Sequence, residues 1–196
     1  GTNMEMNIAV IPGDGIGPEI TTAAIIVLEA IAEKYGHVLN LQYVKACSQS
    51  VEESGEPLPK EALETCLQAD AVLLGNTGLE KYKNLPLSKR PEYALLKLRK
   101  ELKVTTNIRP VHVYPELKLL SPLNQNALSK GLDYLFVRDI AGGVLCSDQV
   151  KGEGENGPEA YEYEYYNQKI VEETAGFAFE LAKARKGKVV SLDKAN

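Results

Sequence analysis

Two groups of residues in this 196-residue chain have types and spacings suited to chemistry. The first is Gly13-Asp14-Gly15-Ile16-Gly17-Pro18, directly after the apolar run Asn7-Ile8-Ala9-Val10-Ile11. A glycine turn between a strand and a helix brings backbone N–H groups toward an anion at the helix start. The spacing is not that of a dinucleotide fingerprint, because the third glycine of G-x-G-x-x-G would fall on Pro18. No Gly-Lys-Ser/Thr follows, which excludes a P-loop. The turn reads either as an anion cradle or as a plain strand-to-helix connection. The second group is arginine. Only five of the 22 basic residues are Arg, and Arg90, Arg99, Arg109 and Arg138 fall close together in sequence. The planar guanidinium grips carboxylates bidentately, and lysine replaces it poorly. Arg99, Arg109 and Arg138 belong to three separate predicted elements and can converge on a small polyacid. Taken singly, each also reads as a surface or ion-pairing residue.

The elements that must position these groups follow from hydrophobic period and turn residues. Asn7–Ile11 is a buried strand, bounded by Pro12-Gly13. Pro18 and Glu19 suit the first turn of a helix. Ile20, Ala23, Ala24, Val27, Leu28 and Ile31 recur at helical spacing, and Gly36 ends the helix. Leu39–Val44 alternates as a second strand, Pro59–Leu67 is a short helix, and Ala71–Leu74 is a third strand ending at Gly75. Strand and helix alternate, so the sheet is α/β and mostly parallel, with helices on both faces. Sites in such sheets lie beyond the carboxyl ends of the strands, here the loops after Ile11 and Leu74. Pro91 opens a further helix carrying Leu95, Leu96, Leu98 and Leu102. Val104–Val113, interrupted by Pro110, is a bent or edge strand, and Leu132–Val137 is another strand. Lys151–Pro158 reads as a mobile loop. Tyr161–Tyr165 alternates aromatic and acidic residues as a strand does. Asn167–Lys186 is a helix, and Lys188–Leu192 a last strand.

Composition excludes several classes. Hydrophobic content of 44% and charged content of 25% are those of a globular chain. No apolar stretch approaches the roughly 18 residues of a spanning helix, and no secretory pattern is visible. The net charge is −5, and no basic stripe offers itself to nucleic acid. Cys47, Cys66 and Cys146 are widely spaced, which speaks against a disulfide framework or zinc knuckle and suits a reducing cytoplasm.

Asn7–Ile20 (NIAVIPGDGIGPEI) resembles the N-terminus of the β-decarboxylating dehydrogenases, the isocitrate and isopropylmalate dehydrogenase family. Arg90-Pro91-Glu92-Tyr93-Ala94-Leu95-Leu96-Lys97-Leu98-Arg99-Lys100 and Asn107-Ile108-Arg109-Pro110 resemble its isopropylmalate branch. Val137–Gly143 and Ser191–Asn196 continue the resemblance in order, so that it covers the chain from Asn7. It implies the family fold without its C-terminal part. Residues 1–104 would be a first lobe belonging to the cofactor domain, and 105–196 an incomplete substrate and dimerisation lobe.

The resemblance also implies an activity. A 2-hydroxy acid is oxidised with NAD and a divalent metal, Mg²⁺ or Mn²⁺, and a neighbouring carboxylate leaves as carbon dioxide; in that branch the reaction serves leucine biosynthesis. Arg99, Arg109 and Arg138 match the substrate clamp, Leu95 and Leu96 the pocket for an isopropyl group, and Glu92 a residue facing substrate and nicotinamide. Lys194 matches the base that takes the hydroxyl proton. Ile11, Gly13, Asp14, Gly15, Gly78, Glu92 and Asn196 match the cofactor side. An apolar patch discriminates by only ~1–3 kcal/mol per methylene, so tartrate, D-malate and homoisocitrate remain alternative substrates. The implied partner is a second copy, joined through an arm at 143–166 and the helix after it.

Three departures accompany the resemblance. Leu145 stands where the family has a proton-donating tyrosine; Tyr161, Tyr163, Tyr165 or Tyr166 could replace it only if their segment folds back. Thr77-Gly78-Leu79-Glu80 stands in place of Val-Gly-Gly-Pro. The family's metal-binding aspartates lie beyond Asn196. The 196 residues by themselves are thus expected to be inactive or weakly active, and a non-catalytic dimerising α/β module is the alternative.

Overall fold

In the computed structural model, residues 3–129, 131–146 and 149–193 are described; Lys194 and Asn196 lie outside them. The chain forms two compact units, residues 1–103 and 104–196. No helix among the described residues is long and apolar enough to cross a membrane.

The first unit is built on β1 (Glu5–Gly13), flanked in parallel by β2 (Val38–Tyr43) and β3 (Ala71–Asn76). Ile8 pairs with Leu41 on one side, and Ile11 with Leu74 on the other. A central strand covered on both faces needs apolar residues in both registers. Ile8 and Val10 meet Ile25 of α1 (Gly17–Tyr35). Ala9 and Ile11 meet residues of α2 (Cys47–Ser54), α3 (Lys60–Gln68) and α4 (Tyr93–Glu101). Helix α1 ends as expected: Gly36 is left-handed at φ 70°, its N–H bonds to Glu33 and that of His37 to Ala32.

The buried line of α1 is Gly17, Thr21, Ile25 and Ala32. The larger residues of the expected periodic set sit to one side, with Ile20, Val27 and Ile31 exposed. Close approach decides this. A Cβ on Gly75 would lie 2.3 Å from the Pro12 carbonyl oxygen and 2.5 Å from Thr21 Oγ1. A Cβ on Gly17 would lie 2.2 Å from the same carbonyl. Only small residues fit where the first turn of α1 rests on β3.

In the second unit β4 (Thr106–Val113) pairs antiparallel with β5 (Leu132–Asp139). Both are edge strands, which accommodates Pro110. Residues 151–158, expected as a mobile loop, instead belong to a hairpin of β6 (Gln149–Gly154) and β7 (Gly157–Glu162). Its two-residue connection is Glu155-Asn156, and Gly157 supplies the left-handed backbone at φ 104°. Strand β7 stops at Glu162, short of the alternating stretch's end. Helix α5 (Gln168–Lys183) is capped by Asn167, whose Oδ1 accepts the Ile170 N–H at 3.0 Å. The strand expected over Lys188–Leu192 is absent: the segment is apolar, but no strand pairs with it, and Leu192 is 79% exposed.

Gly13 marks where the loops after β1 and β3 touch: a Cβ there would lie 1.9 Å from the Asn76 carbonyl oxygen, and φ is 76°. Gly13→Ala and Gly75→Ala should each destabilise the chain by about 1–3 kcal/mol, the usual cost of forcing atoms into a packed site. Urea unfolding measures this; Gly55→Ala, which meets nothing within 4 Å, is the comparison for strain at positive φ alone.

Candidate functional site

The loops after β1 and β3 are drawn together by one carboxylate. Asp14 is 2% exposed. Its Oδ1 accepts the Ser48 N–H at 2.8 Å and the Ser48 hydroxyl, and its Oδ2 accepts the Gly78 N–H at 2.7 Å. Ser48 lies in the first turn of α2, whose own N-cap position, Ala46, has no capping side chain. Asp14 thus supplies from a distance the negative group that a helix N-terminus favours. The Asp14 N–H in turn donates to the Asn76 carbonyl at 2.7 Å.

Several expected cofactor-side residues gather here. The Ile11 side chain is fully buried in the core beneath. Gly15 is exposed, with φ 58°. Gly78 lies under Glu92: a Cβ on Gly78 would sit 2.6 Å from Glu92 Oε1. Beside this group Cys47 is buried, and its thiol is pushed up to about 12, first by burial and then by the negative charges of Asp14 and Glu92. Burial also pushes up the Cys66 thiol.

Helix α4 offers a stripe next to Gly78. Ala94 and Leu98 fix the helix to the core, while Glu92, Leu95, Leu96 and Arg99 recur at i, i+3, i+4 and i+7 and share a different side. Leu96 is 45% exposed, and Leu95 and Arg99 are half-buried. The stripe runs from acid through two leucines to arginine.

In the second unit the register of β4 and β5 places Asn107 opposite Arg138. Arg109 lies two residues on, on the same face, and its Nε donates to Asn107 Oδ1 at 2.9 Å. Helix α5 covers the other face, where Thr174 lies 3.4 Å from Thr106 Oγ1 and 3.5 Å from Asp139 Oδ1. Both arginines are therefore on the open face. Arg99, Arg109 and Arg138 have no ion pair with any described carboxylate, whereas Arg185 pairs with Asp133 at 2.6 Å and Arg90 Nε donates to the Leu85 carbonyl.

The turn after β5 is held by Asp139, which accepts the Ala141 and Gly142 N–H groups at 3.0 Å each. The segment after β7 does fold back to it. Gly143 N–H donates to the Tyr165 carbonyl at 2.9 Å, and the Tyr166 ring covers Gly142, where a Cβ would lie 2.6 Å from it. Among the described residues no group of three His, Cys, Asp or Glu side chains could hold a metal ion.

The role of Asp14 as a distant cap was missed in the sequence; the available signal was a lone Asp between glycines and a short polar helix without a cap of its own. Glu52, which receives Lys81 and Tyr82 of the loop after β3, had no signal of its own.

A strand–glycine turn–helix unit followed along the chain by a pair of antiparallel arginine-bearing strands is an α/β arrangement. The chain belongs to the isocitrate/isopropylmalate dehydrogenase family, which matches residues 7–196. Relatives named 3-isopropylmalate dehydrogenase, from Clostridium pasteurianum and Clostridium acetobutylicum, are each 44% identical over 192 residues. Each alignment covers 98% of this chain and 54% of the relative, so the chain spans about half their length. The crystal structure of a beta-decarboxylating dehydrogenase from Thermococcus kodakarensis matches with a TM-score of 0.65 and 29% identity, over 92% of this chain and 46% of that one.

Two consequences of the buried cluster are measurable. Iodoacetamide at pH 8 should label exposed Cys146 in the native protein, and Cys47 and Cys66 only after unfolding, as read by peptide mass spectrometry. The fold also keeps the Cys47 thiol protonated up to about 12, whereas the unfolded chain ionises it near 9.0. The unfolded state therefore binds fewer protons at high pH, and this contribution to stability, intact below about pH 9, is lost as pH rises toward 12. Cys47→Ala should flatten that part of the stability–pH curve.

Proposed function

We propose that the chain provides the substrate clamp and part of the cofactor side of an NAD-dependent 3-isopropylmalate dehydrogenase. The observation that carries this reading is the contrast among the arginines. In a chain with 27 acidic residues, Arg99, Arg109 and Arg138 meet none of the described carboxylates, while Arg185 is ion-paired. Free guanidinium groups are what a dicarboxylate needs, because each can accept a carboxylate bidentately without first breaking an internal pair.

In this reading the arginines bind and orient the substrate's malate portion, and Leu95 and Leu96 take up its isopropyl group. Lys194 receives the hydroxyl proton. Glu92, above Gly78, faces substrate and nicotinamide. A bound nicotinamide would supply the hydride acceptor. Ile11, Gly13, Asp14, Gly15, Gly78 and Asn196 would form the cofactor side, with the Ile11 side chain buried in the core beneath and the Asp14 carboxylate holding the loops in place. Among the described residues no group of His, Cys, Asp or Glu side chains fits Mg²⁺ or Mn²⁺. The working site is cytoplasmic, and the unit is a dimer of two copies formed through the 143–166 arm and α5. The exposed Val171, Phe177 and Phe179 of α5 support that contact.

Leu145 favours a second reading, a dimerising module that holds a dicarboxylate without turning it over. Leucine has no proton to give, and loss of a general acid costs roughly 10²–10⁴-fold.

Calorimetric titration with 3-isopropylmalate tests the clamp. Arg109→Lys should weaken binding about tenfold through loss of the planar fork, and Arg138→Ala should weaken it further. Unchanged affinity in both would remove these arginines from the site. Light scattering should show a dimer, converted to monomer when residues 149–162 are replaced by a short Gly/Ser linker. A monomeric parent chain would refute the arm contact.

A further inference from the structure

The open face of the β4–β5 ribbon breaks the rule that the water-facing side of an antiparallel sheet is polar. Residues two apart on a strand share a face, so Phe136 and Tyr134 of β5 lie on the side of Arg138, away from α5. Across the ribbon the register sets Arg109 directly opposite Phe136, and Val111 opposite Tyr134. One end of this face is polar, with Asn107, Arg109 and Arg138. Next to the arginines come two aromatic rings, Phe136 at 44% exposed and Tyr134 at 42%. On the α5 side of the same strand, Leu135 and Val137 are half-buried.

The two rings are set against each other. Their centroids are 5.2 Å apart and their planes cross at 84°, the edge-to-face arrangement in which a positive ring edge meets a negative ring face. Tyr134 therefore holds the Phe136 ring in place. The guanidinium groups beside it are available: Arg109 uses its Nε on Asn107, and Arg138 meets no described acceptor. An apolar ring in water costs free energy that a covering apolar group recovers. Whatever covers this ring must also answer the charges next to it. A second copy of the same face brings further arginines and no carboxylate. A small anion with an apolar branch answers both.

We propose that Phe136 is a specificity residue: its ring is the wall on which the alkyl branch of a dicarboxylate lies while Arg109 and Arg138 hold the carboxylates. The ligand class is a short diacid carrying an apolar branch; an unbranched diacid uses the arginines alone. This rests on reading Arg109 and Arg138 as the clamp and deepens that reading, by naming the residue of the second unit that separates branched from unbranched substrates.

Calorimetric titration of the 196-residue chain with 3-isopropylmalate and with D-malate tests the wall. Phe136→Ala should weaken 3-isopropylmalate about four- to fifteenfold, the scale of one or two buried methylenes. It should leave D-malate, which has no alkyl branch, unchanged. Arg138→Ala should weaken both diacids alike, because it removes the carboxylate contact that they share. An equal change for the two diacids in Phe136→Ala, or no change in either, would overturn the wall, while the Arg138→Ala result still decides the clamp. Binding of neither diacid by the parent chain would overturn both. Light scattering is the second readout. Loss of a dimer in Phe136→Ala, with the ratio of the two affinities kept, would overturn the wall and assign the face to a contact between copies. Should Phe136→Ala lower the urea midpoint, Phe136→Gln decides with the same two ligands, since it keeps much of the side chain's length and puts a polar end on the open face.

Discussion

A carboxylate taken out of water needs hydrogen bonds to replace those it loses, and in the first unit Asp14 obtains them from two different elements. One oxygen takes the N–H and hydroxyl of Ser48 at the start of α2, and the other takes the Gly78 N–H after β3. Much else in this unit is arranged around that arrangement of donors. Gly13 must lack a side chain for the β1 loop to reach Asn76, and Gly17 and Gly75 must lack one for α1 to rest on β3 beneath it. Helix α2 has no cap of its own and is completed by a residue 34 positions earlier. The loops after β1 and β3 are in consequence one structure rather than two independent turns. Glu92, on a third element, lies against its Gly78 end.

The parts of the fold legible in the sequence are those set by local period. The β1 core run, the glycine that ends α1 and the Asn167 cap each announce themselves within a few residues. What was hidden depends on a partner. The apolar residues of α1 marked a helix correctly, but which of them face the sheet was settled by how closely Gly17 and Thr21 let the helix approach Gly75. Lys188–Leu192 has the composition of a strand, yet a strand exists only against another. The glycine-rich stretch at 151–158 looked too flexible to pair, although Gly157 is what lets its hairpin close.

The candidate site was legible in the same uneven way. Residue type alone singled out the arginines, and the antiparallel register then explains why Arg109 and Arg138 share a face with Asn107 between them. Helical spacing likewise gathered Glu92, Leu95, Leu96 and Arg99 on one side of α4. The Asp14–Gly78 bond spans 64 positions and joins two loops whose sequences say nothing of each other. Only the parallel pairing of β1 with β3, which sets Gly13 beside Asn76, brings them into reach.

The two units handle charge in opposite ways. In the first, the buried anion is satisfied internally by amide and hydroxyl donors, so it organises the fold and has little left to offer a ligand. In the second, Asp133 gathers Arg185 and Lys186 at one end of β5, while Arg138 at the other end has no ion pair with a described carboxylate. An arginine already paired would have to exchange one carboxylate for another, gaining little on binding. One left in water gives up only hydration, and a bidentate partner in a partly desolvated site repays it. A chain with a net charge of −5 has acidic residues enough to neutralise its five arginines. Among the described residues Arg99, Arg109 and Arg138 nonetheless meet no carboxylate, so their bidentate faces are not spent on an internal ion pair as that of Arg185 is.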